Sequence, residues 1–239
     1  MGSYVYSKML DRLSYMEIWT SGSTTTQGAQ DYYNPYNDKS YGFFDIPNFI
    51  NVVSSYQLPF GRGKKFMQNA NPVVNHLAGN WTFAWTQQYR SGTLSQITNS
   101  TDYLNAETGV NLQKATPTGN AIRSGLGSRD LLPNNPNTRW FNSGSSNPFA
   151  TTPAFTLGAA SYYNSQFRQP WFRNENISLN KQIHIRESIL LNYQVNVYNP
   201  FNRSDMGGIN ASFASAAFGE ATAVQDGARA ITMGLRLEF

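Results

Sequence analysis

Thr232–Phe239 (TMGLRLEF) alternates polar and apolar residues and ends the chain on an aromatic residue. Successive side chains of a β-strand point to opposite faces, so one face would carry Met233, Leu235, Leu237 and Phe239. The polar residues would share the other face. A chain that ends inside an amphipathic strand leaves no tail, which suggests that the free edge of this strand pairs with another strand to close a barrel. One terminal strand has little specificity, because soluble all-β proteins also finish on edge strands.

The composition favours β-structure over disorder. Of the 239 residues, 13% are charged and 14% are aromatic, whereas charged residues make up about 25% of ordinary soluble domains. Disordered chains combine low hydrophobicity with high net charge, so this class is excluded. No run approaches the roughly 20 apolar residues that a membrane-spanning helix needs. The negative mean hydropathy is compatible with a membrane barrel, which is apolar only on its outer face.

The net charge and the absence of cysteine exclude or disfavour several classes of protein. The formal net charge is +4 and there is no cysteine, which excludes a disulfide scaffold and a cysteine metal site. The cation cluster of Arg62, Lys64 and Lys65 predicts a solvated turn, and no nucleic-acid partner is expected. Residues 1–6 lack the basic and apolar regions of a secretory signal. Either the chain is intracellular or its true beginning is missing.

Six segments, the terminal one included, alternate in this way and are predicted to be strands: Ser3–Leu10, Ile46–Leu58, Asn80–Ser91, Arg173–His184, Glu187–Tyr198 and Ala228–Phe239. The third has the cleanest pattern, with one face formed by Trp81, Phe83, Trp85 and Tyr89. The fourth and fifth set rows of Asn and Gln against apolar rows. Asn is normally depleted in strands. A wet barrel lumen would explain these rows, because amides are solvated there.

The connections alternate in length. A tight turn near Ile185-Arg186 joins strands four and five, and a moderate connection joins strands two and three. The other three connections are long: Asp11–Asp45, Gly92–Phe172 and Asn199–Gly227. Outer-membrane barrels have short periplasmic turns and long external loops. With Phe239 at the periplasmic side, every long connection falls outside.

Some features fit this pattern less well. Lys181 lies on the apolar face of the fourth strand, where a cation at mid-bilayer costs about 2–4 kcal/mol. We expect it to snorkel toward the nearby periplasmic end. Arg229 shares the apolar face of the sixth strand, but at its outer end, where the cost is small. The long connections could also contain further strands, at Phe155–Tyr163 or Ile209–Phe218.

Six strands cannot close a membrane barrel, because the smallest have about eight. Open sheet edges are not tolerated in lipid. We therefore expect a fragment of a larger barrel, or a small barrel whose remaining strands are not revealed by the alternation of polar and apolar residues. The absent signal peptide favours the fragment. The predicted fold is an all-β, antiparallel transmembrane barrel in which residues 1–239 form the C-terminal part of one domain with long extracellular loops.

Several segments, in order along the whole chain, resemble parts of TonB-dependent outer-membrane transporters of the Oar-like group. They are a strand at Tyr4–Asp11, a periplasmic turn at Leu58–Phe66, strands at Gly79–Thr93 and Trp171–Leu179, and an Asn-x-Phe-Asn-Arg element within Val197–Arg203. The resemblance implies the last six strands of a barrel of about 22 strands with a plugged lumen, in the outer membrane of a Gram-negative bacterium.

The resemblance also implies partners. An unidentified extracellular ligand would be taken up with energy from the TonB system, which acts through an N-terminal region. That region, the plug and the first strands are missing here. The lipid of the outer membrane surrounds such a barrel. The polar–x–Gly–x–x–apolar–x–apolar signal read by the barrel assembly machinery is matched by Thr232, Gly234, Leu237 and Phe239. A last strand with an exposed edge can pair with another sheet edge.

No pattern of residues points to an enzyme or to a cofactor. His76 and His184 lack metal-ligand spacing to each other or to carboxylates. Gly61–Lys65 is too short for a phosphate-binding loop and indicates a tight turn. A polar loop is a better interpretation than a calcium site for Asp31, Asn34, Asn37 and Asp38. Anchoring at the membrane interface is a better interpretation than sugar stacking for Trp81, Trp85, Tyr4 and Tyr6.

Two other functions stay open at this point. A soluble secreted β-sandwich could bind glycans through exposed aromatic residues. A small structural barrel or porin could exist without active uptake. The sequence does not identify a ligand.

Overall fold

Six long strands form one antiparallel sheet, and they are the six that alternation predicts. The computed structural model describes residues 1–11, 30–31, 33–97, 113–186, 189–225 and 227–239. Within these ranges, one helix, α1 (Pro72–Ala78), and two 3₁₀ turns, Pro35–Asp38 and Gly144–Ser146, accompany the strands. In chain order the strands are β1 (Gly2–Tyr6), β2 (Leu10–Asp11), β3 (Ser40–Tyr41), β4 (Asn48–Gln57), β5 (Trp81–Arg90), β6 (Leu94–Gln96), β7 (Thr116–Pro117), β8 (Phe149–Ala150), β9 (Tyr163–Arg168), β10 (Phe172–Arg186), β11 (Ile189–Tyr198), β12 (Met206–Ile209), β13 (Ala221–Val224) and β14 (Ala230–Glu238).

The strand order of the main sheet follows the chain, β1-β4-β5-β10-β11-β14, and β1 and β14 form its edges. This up-and-down order is that of a barrel wall. The soluble β-sandwich alternative requires two large packed sheets, and it is wrong because the described strands outside the six-stranded sheet form only two-stranded sheets.

Apolar side chains of neighbouring strands lie opposite one another. Phe83 is opposite Leu179, Leu179 is opposite Val195, and Val195 is opposite Met233. We call this the apolar side of the sheet and the opposite one the polar side. The register therefore carries the predicted apolar faces across four adjacent strands.

The amide rows of the polar side bond along their own strands. Asn176 Nδ2 donates to Asn174 Oδ1 at 2.7 Å, and Gln194 Nε2 donates to Asn196 Oδ1 at 2.9 Å. Each bond joins residues two apart, whose side chains share a face. The polar side thus offers a continuous hydrogen-bonding surface.

The strand bounds differ from the predicted ones mainly at β1. We predicted that this strand runs to Leu10, but it ends at Tyr6. The backbone N–H of Ser7 still donates to the carbonyl oxygen of Pro47 at 3.1 Å. Pro47 has no N–H to return the bond, so the ladder stops there. Leu10 pairs instead with Tyr41 in the small β2–β3 sheet.

The turn between strands four and five also lies later than predicted. Ile185 and Arg186 still belong to β10. The connection is residues 187–188, which lie outside the described residues, as do the predicted first two residues of the fifth strand.

The three long connections lie at one end of the sheet, and the two shorter ones lie at the other. Residues 7–47, 91–171 and 199–229 join strands at one end, the loop end. Residues 58–80 and 187–188 join strands at the other, the turn end. The predicted alternation of long and short connections is confirmed.

The buried hydrophobic core lies in the long connections and not in the sheet. Phe141 stacks on Phe167 with 4.3 Å between ring centroids, and Phe218 packs against both. We call the folded long connections the loop body. Its main apolar cluster consists of Ile97, Ala115, Ile122, Leu131, Trp140, Phe141, Phe149, Ala160, Phe167, Met206, Ile209, Phe213, Phe218 and Ala221.

Neither suggested extra strand exists over its predicted length. In Phe155–Tyr163 only the last residue is in a strand, β9, and in Ile209–Phe218 only the first is, in β12. Turns occupy much of the remainder, including those closed by the Ser215 and Phe218 N–H groups. The strands of the loop body form two-stranded sheets apart from the main one.

Candidate functional site

An open cleft of about 530 Å³ separates the loop body from the loop end of the main sheet. Tyr6 and Asn48, on its sheet side, are directly opposite each other and continue the row of Tyr4 and Ile50. The cleft therefore opens on the apolar side of the sheet, beyond the apolar rows. On the other wall it is lined by Arg123, Trp140 and Arg168.

Gly92 fixes the base of the cleft by letting two chain segments touch. A Cβ atom at this position would lie 1.7 Å from the carbonyl oxygen of Gln169. The same two segments are joined by the Gln169 N–H, which donates to the Thr93 carbonyl oxygen at 2.9 Å. Only glycine permits such a backbone approach.

A buried ion pair attaches the first long connection to this base. Arg168 pairs with the carboxylate of Asp45, which is buried. One of its Nη atoms also donates to the carbonyl oxygen of Asp45 at 2.7 Å. Charge-assisted bonds of this kind are strong when their partners are desolvated. The pair holds residues 123 positions apart in sequence.

Arg123 is the unusual group of the cleft. Its guanidinium carbon lies 3.1 Å from the ring centroid of Trp140. Its Nε is buried and has no hydrogen-bond partner among the residues that the structure describes. Burial lowers the pKa of Arg123 to about 10. No described carboxylate lies within ion-pair distance of Arg123. In contrast, other cations of the loop body each form an ion pair with a carboxylate, namely Lys114, Arg139 and Arg168.

The lining of the cleft suits an anionic group. It contains three cations, Lys8, Arg123 and Arg168, and one carboxylate, Asp45, which already pairs with Arg168. Arg123 presents a planar donor set of the kind that recognises carboxylate and phosphate.

Two further ion pairs fix the loop body to the sheet just outside the cleft. Arg173 of β10 binds both carboxylate oxygens of the fully buried Asp205, at 2.9 and 2.7 Å. Arg203 binds the buried Glu175 at 2.6 Å, and Tyr89 donates to the same carboxylate. Arg173 and Glu175 lie on the apolar side, so the loop body leans over that side of the sheet.

The predicted assembly signal lies along the edge strand β14 without forming a cluster. Thr232 and Gly234 are opposite Asn196 and Gln194 on the polar side. Leu237 is on the apolar side, and Phe239 follows the strand with 99% of its surface exposed. The role of these four residues in assembly stays a prediction.

Two of the four candidate calcium ligands contact a lysine. The ammonium of Lys114 pairs with the carboxylate of Asp38 and donates to the carbonyl oxygen of Asn37 at 2.8 Å. His76 lies in α1 and His184 in β10. In the part of the chain that the structure describes, no three His, Cys, Asp or Glu residues are grouped to hold a metal ion.

The membrane-interface candidates lie on the sheet as predicted. Trp81 and Trp85 are on the apolar side, where Trp85 packs near Phe201 with 6.4 Å between centroids. Tyr6 lines the cleft. Local sequence patterns gave no indication of Arg123, Trp140 or the ion pairs, because their partners are far apart along the chain.

A comparison with protein families matches residues 1–232 to the outer membrane beta barrel domain. Neither the curated proteins nor the solved structures contain a match to the chain. No helix in the described ranges is long and apolar enough to cross a membrane.

Proposed function

This chain belongs to the family of outer membrane β-barrel domains, and we propose that within it the chain is the C-terminal barrel segment of a TonB-dependent transporter for an unidentified extracellular ligand. Membership places the protein in the bacterial outer membrane. The apolar side of the sheet then faces lipid and the polar side faces the lumen. The loop end is extracellular and the turn end is periplasmic.

The observation that carries the proposal is the packed extracellular loop body at the loop end of the sheet. A receptor needs a structured surface to recognise a ligand, and binding residues are often carried on loops that a rigid scaffold positions. The Phe141–Phe167–Phe218 stack and the buried Arg168–Asp45 pair give the loop body this fixed structure. Several segments resemble Oar-like transporters in the same order along the chain, and this resemblance also supports the proposal of a transporter.

The number of strands supports a large barrel. Six strands are fewer than the roughly eight of the smallest membrane barrels. The edges, β1 and β14, need partners in lipid, since unpaired backbone groups are not tolerated there. Further strands of the same protein would provide those partners, and a barrel of about 22 strands has room for a plug.

We propose that the chain itself catalyses no reaction. Uptake would draw energy from the inner membrane through TonB, which would act on the plug region of the complete protein. The extracellular cleft is a candidate contact for an anionic group, because three cations line it and its one carboxylate, that of Asp45, already pairs with Arg168.

The test uses the complete protein encoded by the gene that contains this sequence. The purified protein is incubated with the periplasmic domain of TonB, and its conductance is measured in planar bilayers. We expect binding to TonB and a closed channel, because a plug fills the lumen. An open, steady conductance without TonB binding would replace the proposal with the porin alternative.

A further inference from the structure

The periplasmic connection between β4 and β5 folds back over the apolar side of the sheet. We call residues 58–80 the turn segment. The Nζ of Lys181 donates to the carbonyl oxygens of Leu77 and Gly79 at 3.0 and 2.7 Å. The indole N–H of Trp81 donates to the Leu77 oxygen at 3.0 Å. Lys181 and Trp81 are directly opposite each other on the apolar side, so α1 lies against the lipid-facing wall.

These contacts explain how a cation is tolerated on a lipid-facing row. Lys181 is 5% exposed, and its ammonium lies 4.6 Å from the centroid of the Trp81 ring. It binds carbonyls at the C-terminal end of α1, where the helix leaves acceptors unsatisfied. The ammonium reaches toward the turn end of the sheet, as expected, and there it forms specific bonds to the turn segment. In a water-poor environment such a bond is strengthened.

The turn segment exposes apolar side chains from this position. Val73 and Leu77 are 68% and 70% exposed. They are four residues apart, so they lie on one face of α1. Phe60, Phe66 and Met67 of the same segment are exposed as well. Together they continue the lipid-facing surface of the strands toward the periplasm.

The same segment carries a concentrated positive charge. Arg62, Lys64 and Lys65 lie in the turn before α1, and residues 58–80 contain no acidic residue. Arg62 is held in place because its Nε donates to the Ala70 carbonyl oxygen at 3.0 Å and its N–H to Asn75 Oδ1 at 2.7 Å. The cation cluster and α1 therefore form one folded unit.

We propose that the turn segment is a lipid-binding element that docks on the periplasmic leaflet of the outer membrane and prefers anionic phospholipid. Val73 and Leu77 enter the boundary of the acyl chains, and Arg62 and Lys65 contact headgroup phosphates, whereas the Nζ of Lys64 donates to Gln57 Oε1 at 2.9 Å. Continuity with the lipid-facing wall and charge complementarity select a bilayer surface over a protein partner. Apolar residues beside cations are the pattern of elements that lie in the membrane interface.

The first test measures the depth of α1 in the membrane. The chain has no cysteine, so Val73→Cys and Leu77→Cys can be spin-labelled singly in the complete protein on a background without other cysteines. In proteoliposomes, Leu235→Cys is the lipid-facing reference and the extracellular Ala154→Cys is the aqueous reference. We expect both α1 labels to collide with oxygen as the label at 235 does. Collision with a water-soluble nickel complex, as at 154, would overturn the proposal.

The second test concerns headgroup charge. Phosphatidylglycerol is added to phosphatidylethanolamine vesicles, and association is followed by the depth of the Leu77→Cys label. We expect the label to move deeper, and we expect Lys65→Gln to weaken phosphatidylglycerol association roughly fivefold. An equal response to both lipids in the parent would overturn the anionic preference.

Both tests are read on protein that shows heat-modifiable gel migration, so that misfolded variants are set aside. Neither test depends on TonB, a plug or a transported ligand. Failure of the transport proposal therefore leaves this inference standing, and its own failure leaves the transport proposal untouched.

Discussion

The guanidinium of Arg173, on the lipid-facing side of β10, holds both carboxylate oxygens of the fully buried Asp205. The same guanidinium donates to Ser128 Oγ at 2.9 Å. One strand residue is thereby joined to two separate extracellular connections. The pair is a fixed point between the membrane wall and the loop body.

Replacing Asp205 with Ala should loosen the loop body. The change leaves Arg173 partly buried and unpaired, which costs about 3–5 kcal/mol for a buried pair. We expect faster hydrogen–deuterium exchange in β12 and β13. Glu238→Ala is the matched control, because the Arg236–Glu238 pair is largely exposed and should be worth less than about 1 kcal/mol. Equal exchange in the two variants would contradict a fixing role for Asp205.

Gly92→Ala should disturb the base of the cleft. Its Cβ would overlap the backbone of Gln169, so one segment must move, at a cost of about 1–3 kcal/mol for overpacking. The measurement is the thermal unfolding of the loop body, followed by tryptophan fluorescence. Gly227→Ala should leave the transition unchanged, because no atom lies within 4 Å of its added Cβ. An unchanged transition in Gly92→Ala would show that the segments are not in contact.

Lys181→Met should release α1 from the wall while keeping the length of the side chain. The Gly79 carbonyl would lose the Lys181 donor, whereas the Leu77 carbonyl would keep the indole N–H of Trp81; an unsatisfied group costs about 1–3 kcal/mol. We expect faster hydrogen exchange in the turn segment and little change in the loop body. The exposed Lys39→Met serves as control. Undisturbed exchange in α1 would mean that the lysine contacts are not formed.

Arg123→Met should leave stability unchanged or raise it slightly. Met keeps an apolar contact with Trp140 and removes a desolvated cation whose Nε has no partner among the described residues, and such replacements are often neutral or stabilising. The thermal midpoint of the loop body measures the effect. A large loss of stability would show that Arg123 supports the fold and is not reserved for a ligand.

Deletion of Phe239 should impair insertion of the complete protein into the outer membrane, because the terminal strand carries the proposed assembly signal. Membrane yield and heat-modifiable migration measure the outcome. Phe155→Ala removes another exposed aromatic residue and should insert normally. Normal insertion of the deletion variant would refute the signal.

The positions of the strands were predictable because polar and apolar residues alternate along each strand with a period of two residues. The alternation of Trp81, Phe83 and Trp85 is local, and the observed register confirms it. The Arg168–Asp45 pair joins residues 123 apart, and no local pattern predicts that separation. Helix α1 could have been found from Asn71-Pro72, since Asn71 Oδ1 accepts from the Val74 N–H at 2.8 Å and proline is favoured at the first helical position.

The location of the hydrophobic core has a consequence for how such a protein can diversify. The stack of Phe141, Phe167 and Phe218 lies wholly in the extracellular connections, whereas the strands are held by their ladders and by lipid. Selection can therefore rework the walls of the cleft and the core beneath it without altering a single pairing in the wall. Ligand recognition and membrane insertion can then change independently in evolution, although one polypeptide carries both.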